Sequence, residues 1–184
     1  MVIRSASGLS SLAISDHEPS DPNDGPEYDE SLRSERDTLR QALLRGATYR
    51  VLLNPPRRFA KSKLPDRLMA RFRRLIGLFE SKSDIENPDA AKEDLEAMKH
   101  CEWAVNPIAS TNLLIIGDNV AYEGIKRGGT RGFERTHCET NPDAIEKLIE
   151  DFDAHFADCI ETQQQDVGSQ LKSFYEEAMK LDSQ

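Results

Sequence analysis

The sequence predicts an α/β fold: a mixed β-sheet flanked by helices, with a helical extension at the C-terminal end. Strand-like and helix-like segments alternate through the first half of the chain, and four short strand-like segments then follow one another between Cys101 and Thr140. After Asn141 the apolar spacing returns to the helical period. With 184 residues, 38% of them hydrophobic and 31% charged, the chain can bury one sizeable core. A single α/β domain over residues 1–162 is expected, followed by an amphipathic helix over 163–184.

Gly8 to Ser15 reads as a short buried strand, and residues 16–26, with three prolines and a glycine, as a polar loop. From Glu27 to Arg45 no breaker intervenes, Tyr28, Leu32, Leu39 and Leu43 share one face, and Gly46 is placed as a stop, so a helix is predicted. Ala47 to Leu53 is a strand bounded by Gly46 and Asn54-Pro55-Pro56. Leu64, Leu68, Phe72, Leu75, Ile76 and Phe79 mark the apolar face of a second helix whose wet face carries Arg67, Arg71 and Arg74.

Asn87-Pro88-Asp89 is a helix start, with a cap, a proline at the first position and an acid in the first turn. Cys101–Asn106, Thr111–Gly117, Val120–Lys126 and Phe133–Thr140 then read as an antiparallel run, with the Leu113–Ile116 stretch as its central strand. Ile145, Leu148, Ile149, Phe152, Phe156, Cys159 and Ile160 predict a long helix. Val167, Leu171, Phe174, Tyr175, Ala178 and Leu181 predict a last one, which must cover the body or a partner chain, either a second copy or another protein.

Composition excludes several classes. No run approaches 18 uncharged apolar residues and no signal peptide is discernible, so no membrane association is expected and the protein is read as cytoplasmic. Cys101, Cys138 and Cys159 are too few and too scattered for a disulfide framework. Neither His100-Cys101 nor His137-Cys138 has metal-ligand spacing, so no metal and no cofactor is implied.

Charge is the most uneven property of the chain. The net charge is −9, yet residues 57–74 hold eight basic side chains against the single acid Asp66. The basic side chains of this patch are Arg57, Arg58, Lys61, Lys63, Arg67, Arg71, Arg73 and Arg74. Such a run is either a solvated helix face or an anion-binding surface. A second basic feature, residues 124–132, holds four glycines with Lys126, Arg127 and Arg131. Glycines let backbone N–H groups approach an anion, and the cations supply charge, as in a phosphate cradle; a soluble hairpin tip is the plainer reading.

The stretch Ser110-Thr111-Asn112 through Gly117-Asp118-Asn119, with Glu123-Gly124 and Phe152-Asp153-Ala154-His155-Phe156, carries a resemblance. The order of strand, helix, strand, helix, antiparallel strands and closing helix over residues 8–160 resembles one half-domain of the phospholipase-D-like superfamily. Its signature, HxKxxxxD, uses histidine as nucleophile, lysine to bind phosphate oxygens and aspartate to support the histidine. The corresponding positions here are Ser110, Asn112 and Gly117, so the resemblance implies a half-domain that has lost its catalytic set.

The expected function is accordingly a non-catalytic binding or regulatory module for a phosphate-bearing ligand or nucleic acid. Its expected ligand residues are Ser110, Asn112, Glu123, Lys126, Arg127, Arg131 and Arg135, together with the 57–74 patch. The alternatives are a phosphodiesterase or nuclease using His137 or His17 with Glu123, and a structural subunit or homo-oligomer assembled through the C-terminal helix.

Overall fold

The computed structural model describes residues 1–15, 26–54, 66–81, 88–106, 112–126, 133–163 and 166–182. In chain order the strands are β1 (Val2–Ser7), β2 (Thr48–Leu53), β3 (Cys101–Val105), β4 (Asn112–Ile116), β5 (Val120–Lys126) and β6 (Phe133–Glu139). The helices are α1 (Pro26–Leu44), α2 (Asp66–Phe79), α3 (Pro88–Met98), α4 (Pro142–Thr162) and α5 (Val167–Asp182), and a 3₁₀ turn occupies Ser11–Ala13. The class is α/β with a mixed sheet, as expected. The chain divides into two compact units, Met1–Gly8 with Ala47–Pro55 and Cys101–Gln164, and Leu9–Gly46 with Pro56–His100 and Gln165–Gln184.

The first unit is a six-stranded sheet in the order β3-β2-β1-β4-β5-β6. β1, β2 and β3 run parallel, whereas β4 returns antiparallel beside β1 and continues into β5 and β6. One face is covered by α4: Ala6, Leu52, Ala104, Ile115 and Ala121 of the sheet form a common core with Ile145, Phe152, Phe156 and Cys159. Phe152 and Phe156 stack at 6.0 Å, and each such buried ring contributes roughly 1.5–3 kcal/mol. α4 begins where the sequence marks it: Asn141 Oδ1 accepts from Asp143 N at 3.0 Å and Ala144 N at 3.3 Å, with Pro142 at the first helical position.

The second unit is helical. α1 and α3 pack together, α2 packs on α5, and Gly168 sits against Phe79. The α5 residues Val167, Leu171 and Ala178 are buried, and Lys172 Nζ donates to Glu80 Oε1 at 3.5 Å. The apolar stripe of the last helix is therefore docked on its own chain. Gly46 ends α1 at φ +91°, its N–H donating to Leu43 O at 2.9 Å, a conformation that favours glycine.

Three expectations are corrected. The first strand is Val2–Ser7, not Gly8–Ser15. Arg4, Ser5 and Ser7 hide its period, while Leu12 and Ala13 are buried in a 3₁₀ turn capped by Ser10, whose Oγ accepts from Leu12 N at 3.2 Å, and Ile14 is buried just after it. β3 does not belong to the antiparallel run: the chain reaches it through α2 and α3, a helical crossover, and it lies parallel to β2 at the far edge.

The arginine face of α2 is not open to solvent. Arg67 donates to Asp29 at 2.5 Å and lies 5.9 Å over Tyr28, Arg74 pairs with the buried Asp94, and Arg71 is half-buried. Three helices are thereby tied, because Arg40 of α1 also reaches Asp94. Of the expected 16–26 loop, residues 16–25 lie outside the described residues, and Pro26 is the first residue of α1 rather than loop.

Candidate functional site

Pairing registers assemble one end of the sheet. Ser7 aligns with Leu53 and Leu53 with Val105 at the carboxyl ends of the three parallel strands. Ala6 opposite Leu113 brings the amino end of β4 to the same end, where Asn112 pairs with Gly124 and Gly124 with Thr136. Open α/β sheets collect ligands beyond the carboxyl ends of their parallel strands, where the strand order changes direction. β5 finishes with Lys126, and β6 starts with Phe133, at this end.

On the α4 face, the sheet end is stitched by side chains. Asn106 Nδ2 donates to Asn54 Oδ1 at 3.0 Å, and His155 Nε2 lies 3.1 Å from Asn106 Oδ1. Asn106 is fully buried, and Asn54 nearly so. With the Asn106 amide donating toward Asn54, its oxygen is the acceptor, so His155 Nε2 carries the proton and donates. Cys159 Sγ is 3.9 Å from that same nitrogen. A nitrogen that already bears hydrogen cannot take the thiol proton, and burial, with Asp158 beside it, pushes the Cys159 thiol above its ordinary value. This cysteine–histidine pair is thus structural rather than an activated nucleophile.

Further along the same face, Arg4 Nε and Nη2 donate to the two oxygens of Asp153, each at 2.8 Å. Arg50 Nη1 reaches Asp153 at 3.1 Å and its Nε donates to Glu102 at 2.6 Å. The hydrogen bonds from Arg4, ahead of those from Arg50, hold the Asp153 carboxyl below its usual range against the opposing effect of burial. The bond to Glu102 raises the Arg50 value further. α4 is locked to β1 and β2 by charge as well as by apolar packing.

A cleft of about 370 Å³ opens between the β5–β6 ribbon and α4, lined by Glu123, His137, Glu139, Lys147, Leu148 and Asp151 among others. Glu123 and His137 are directly opposite across the ribbon, and His137 Nε2 is 3.6 Å from Glu139 Oε2. The N–H groups of Asn141 and Thr140, each donating at 2.8 Å to Glu139 Oε1, lower the Glu139 pKa. The histidine thus faces a carboxylate, Glu139, across 3.6 Å in a cleft that Glu123 also lines.

The expected ligand residues divide between the two faces. Leu113 and Ile115 pack toward α4, so Asn112 faces the other side with the row Asn112, Gly124 and Thr136. Glu123 and Arg135 share the α4 side with His137. Lys126 ends β5, whereas Ser110, Arg127 and Arg131 lie outside the described residues, as do Arg57, Arg58, Lys61, Lys63 and His17. Among the described residues, no group of three His, Cys, Asp or Glu side chains is placed to hold a metal ion. Among the described residues, no helix is long and apolar enough to cross a membrane.

No protein-family model, curated protein or solved structure matches this chain.

Sequence reasoning missed Asn54, Asn106 and His155. The signal was present: β2 and β3 both finish on an apolar residue followed by Asn-Pro, Leu53-Asn54-Pro55 and Val105-Asn106-Pro107. Two parallel strands ending alike place like side chains at one sheet end.

Proposed function

We propose that the chain is a non-catalytic binding or regulatory module, a degenerate phospholipase-D-like half-domain that takes a phosphate-bearing ligand or nucleic acid at the sheet end. The observation that carries this reading is the cross-strand row Asn112, Gly124 and Thr136, at the end where the glycine-rich segment with Lys126, Arg127 and Arg131 connects β5 to β6. Asn112 and Thr136 offer neutral donors on either side of a position without a side chain. The neighbouring cations supply the charge that phosphate oxygens need.

The test is fluorescence anisotropy with labelled single-stranded DNA and RNA across a salt series, with inorganic pyrophosphate as competitor. Nucleic-acid binding predicts affinity falling steeply with salt. A Lys126→Ala/Arg127→Ala/Arg131→Ala variant then has a shallower slope by about one per lost phosphate contact. Pyrophosphate binding without nucleic-acid binding assigns the site to a small ligand. Absence of both overturns the reading.

A second reading, a phosphodiesterase, is favoured by one observation, His137 facing Glu139 and Glu123 in a cleft. Turnover of bis-p-nitrophenyl phosphate that disappears in His137→Ala establishes it. Absence of turnover, or activity unchanged by the substitution, removes it.

A further inference from the structure

We infer that two copies of this chain pair through β6, antiparallel, about a two-fold axis at His137, joining their sheets into one. β6 is the terminal strand of the sheet, seven residues long, and Arg135, Thr136, His137 and Cys138 are all exposed. A long exposed edge is a template for pairing unless its side chains forbid it.

The two edges of the sheet differ. β3 has five residues, Ala104 and Val105 are buried, and Glu102 is bound by Arg50. β6 is longer, and its charges are of both signs.

Register selects the axis. A two-fold perpendicular to the sheet keeps each face on its own side, so it passes through a residue facing itself. Centred on His137, it sets Arg135 of each copy opposite Glu139 of the other, and Thr136 opposite Cys138. Two opposite-charge cross-strand pairs result, on the face that carries α4 in both copies. Centred on Thr136, it sets Arg135 opposite His137 and Glu134 opposite Cys138, and no acid meets a base. The His137 register is the one the charges favour.

The occupant of this edge is therefore a second copy rather than an unrelated peptide, because the strand complements itself. The last helix, α5, is docked on α2 within its own chain and takes no part.

The experiment is analytical ultracentrifugation of the full chain with two charge reversals, Arg135→Glu and Glu139→Arg. Wild type is expected to dimerise at about 100 µM chain, and each reversal, placing like charges opposite one another, to weaken the dimer at least about tenfold. Glu139→Arg must do so although it brings the net charge of the chain nearer zero. Mixing the two variants restores both cross-strand pairs and so restores a dimer. Because Glu139 also binds the N–H groups of Thr140 and Asn141, a second arm keeps the test independent of that substitution. In a His137→Cys/Cys138→Ser variant the two new thiols face each other and form an interchain disulfide on mild oxidation, whereas Cys138 in the wild type, opposite Thr136, does not. A wild-type chain that is monomeric at that concentration overturns the inference. So does a dimer indifferent to both reversals, or one in which the position-137 thiols fail to crosslink.

Discussion

Replacing Asp153 by Asn tests how α4 is held to the sheet. The Arg4 side chain is 10% exposed and that of Asp153 31%. The substitution leaves a buried guanidinium facing an amide, while Arg50 keeps Glu102 and its place over the Phe156 ring. Breaking a fully buried pair costs about 3–5 kcal/mol, and an exposed pair about 0–1. Solvent reaches Asp153, so the expected loss is about 2–3 kcal/mol. With a urea slope near 2 kcal/mol per molar, the unfolding midpoint falls by about 1–1.5 M.

Trp103, the only tryptophan, lies on β3 and reports the sheet unit by its fluorescence. Glu102→Gln, at a side chain 47% exposed, is the internal control and should move the midpoint by less than about 0.5 M. The pH dependence has a definite sign. The folded carboxyl titrates below its unfolded value, so its contribution is complete above the unfolded value near 4 and is lost as pH falls through the folded one. The gap between wild type and Asp153→Asn must therefore close in acid. Equal midpoints for Asp153→Asn and Glu102→Gln at neutral pH, or a gap that persists in acid, would refute the reasoning.

Three further outcomes are expected. Asp94→Asn should destabilise the helical unit by about 3 kcal/mol, read by far-UV circular dichroism, because Arg74 and Arg40 lose a carboxylate that is itself buried. Native chain should react rapidly with a thiol reagent at Cys138 alone, since Cys101 is pushed up to about 12 by burial and Cys159 is buried and raised; all three react in urea. Gly46→Ala meets no atom within 4 Å but must hold φ near +91°, so it should cost about 1–2 kcal/mol by thermal or urea unfolding, a purely backbone effect.

Periodicity exposed most of the elements because their packing is ordinary. α2, α4 and α5 each bury one apolar stripe, whereas in α1 only Leu43 of the expected face is buried and Tyr28 is exposed; β2, β4 and β5 alternate or run apolar between turn residues. β1 escaped notice because Arg4, which belongs to a surface by composition, is buried by a partner 149 residues away. The arginine face of α2 was legible as a pattern, but its consequence was not: the carboxylates that meet it, Asp29 and Asp94, lie on other helices. A charge stripe reads as solvated until the facing element is known.

The site follows the same logic one level higher. Alternation along a strand says which residues share a face, and it correctly groups Glu123 with Ala121, or Asn112 with Leu114. Lateral order is a different quantity, set by which crossover each strand completes. β3 follows two helices and so lies parallel beside β2, which brings Asn106 to Asn54 and within reach of His155; had it begun the antiparallel run, Asn106 would have lain elsewhere. The same lateral order makes β6 the open edge, and only then does the spacing of Arg135 and Glu139 about His137 acquire meaning. Two opposite charges four residues apart on a strand face the same way without touching one another in one copy, but meet their complements when that strand is set against itself.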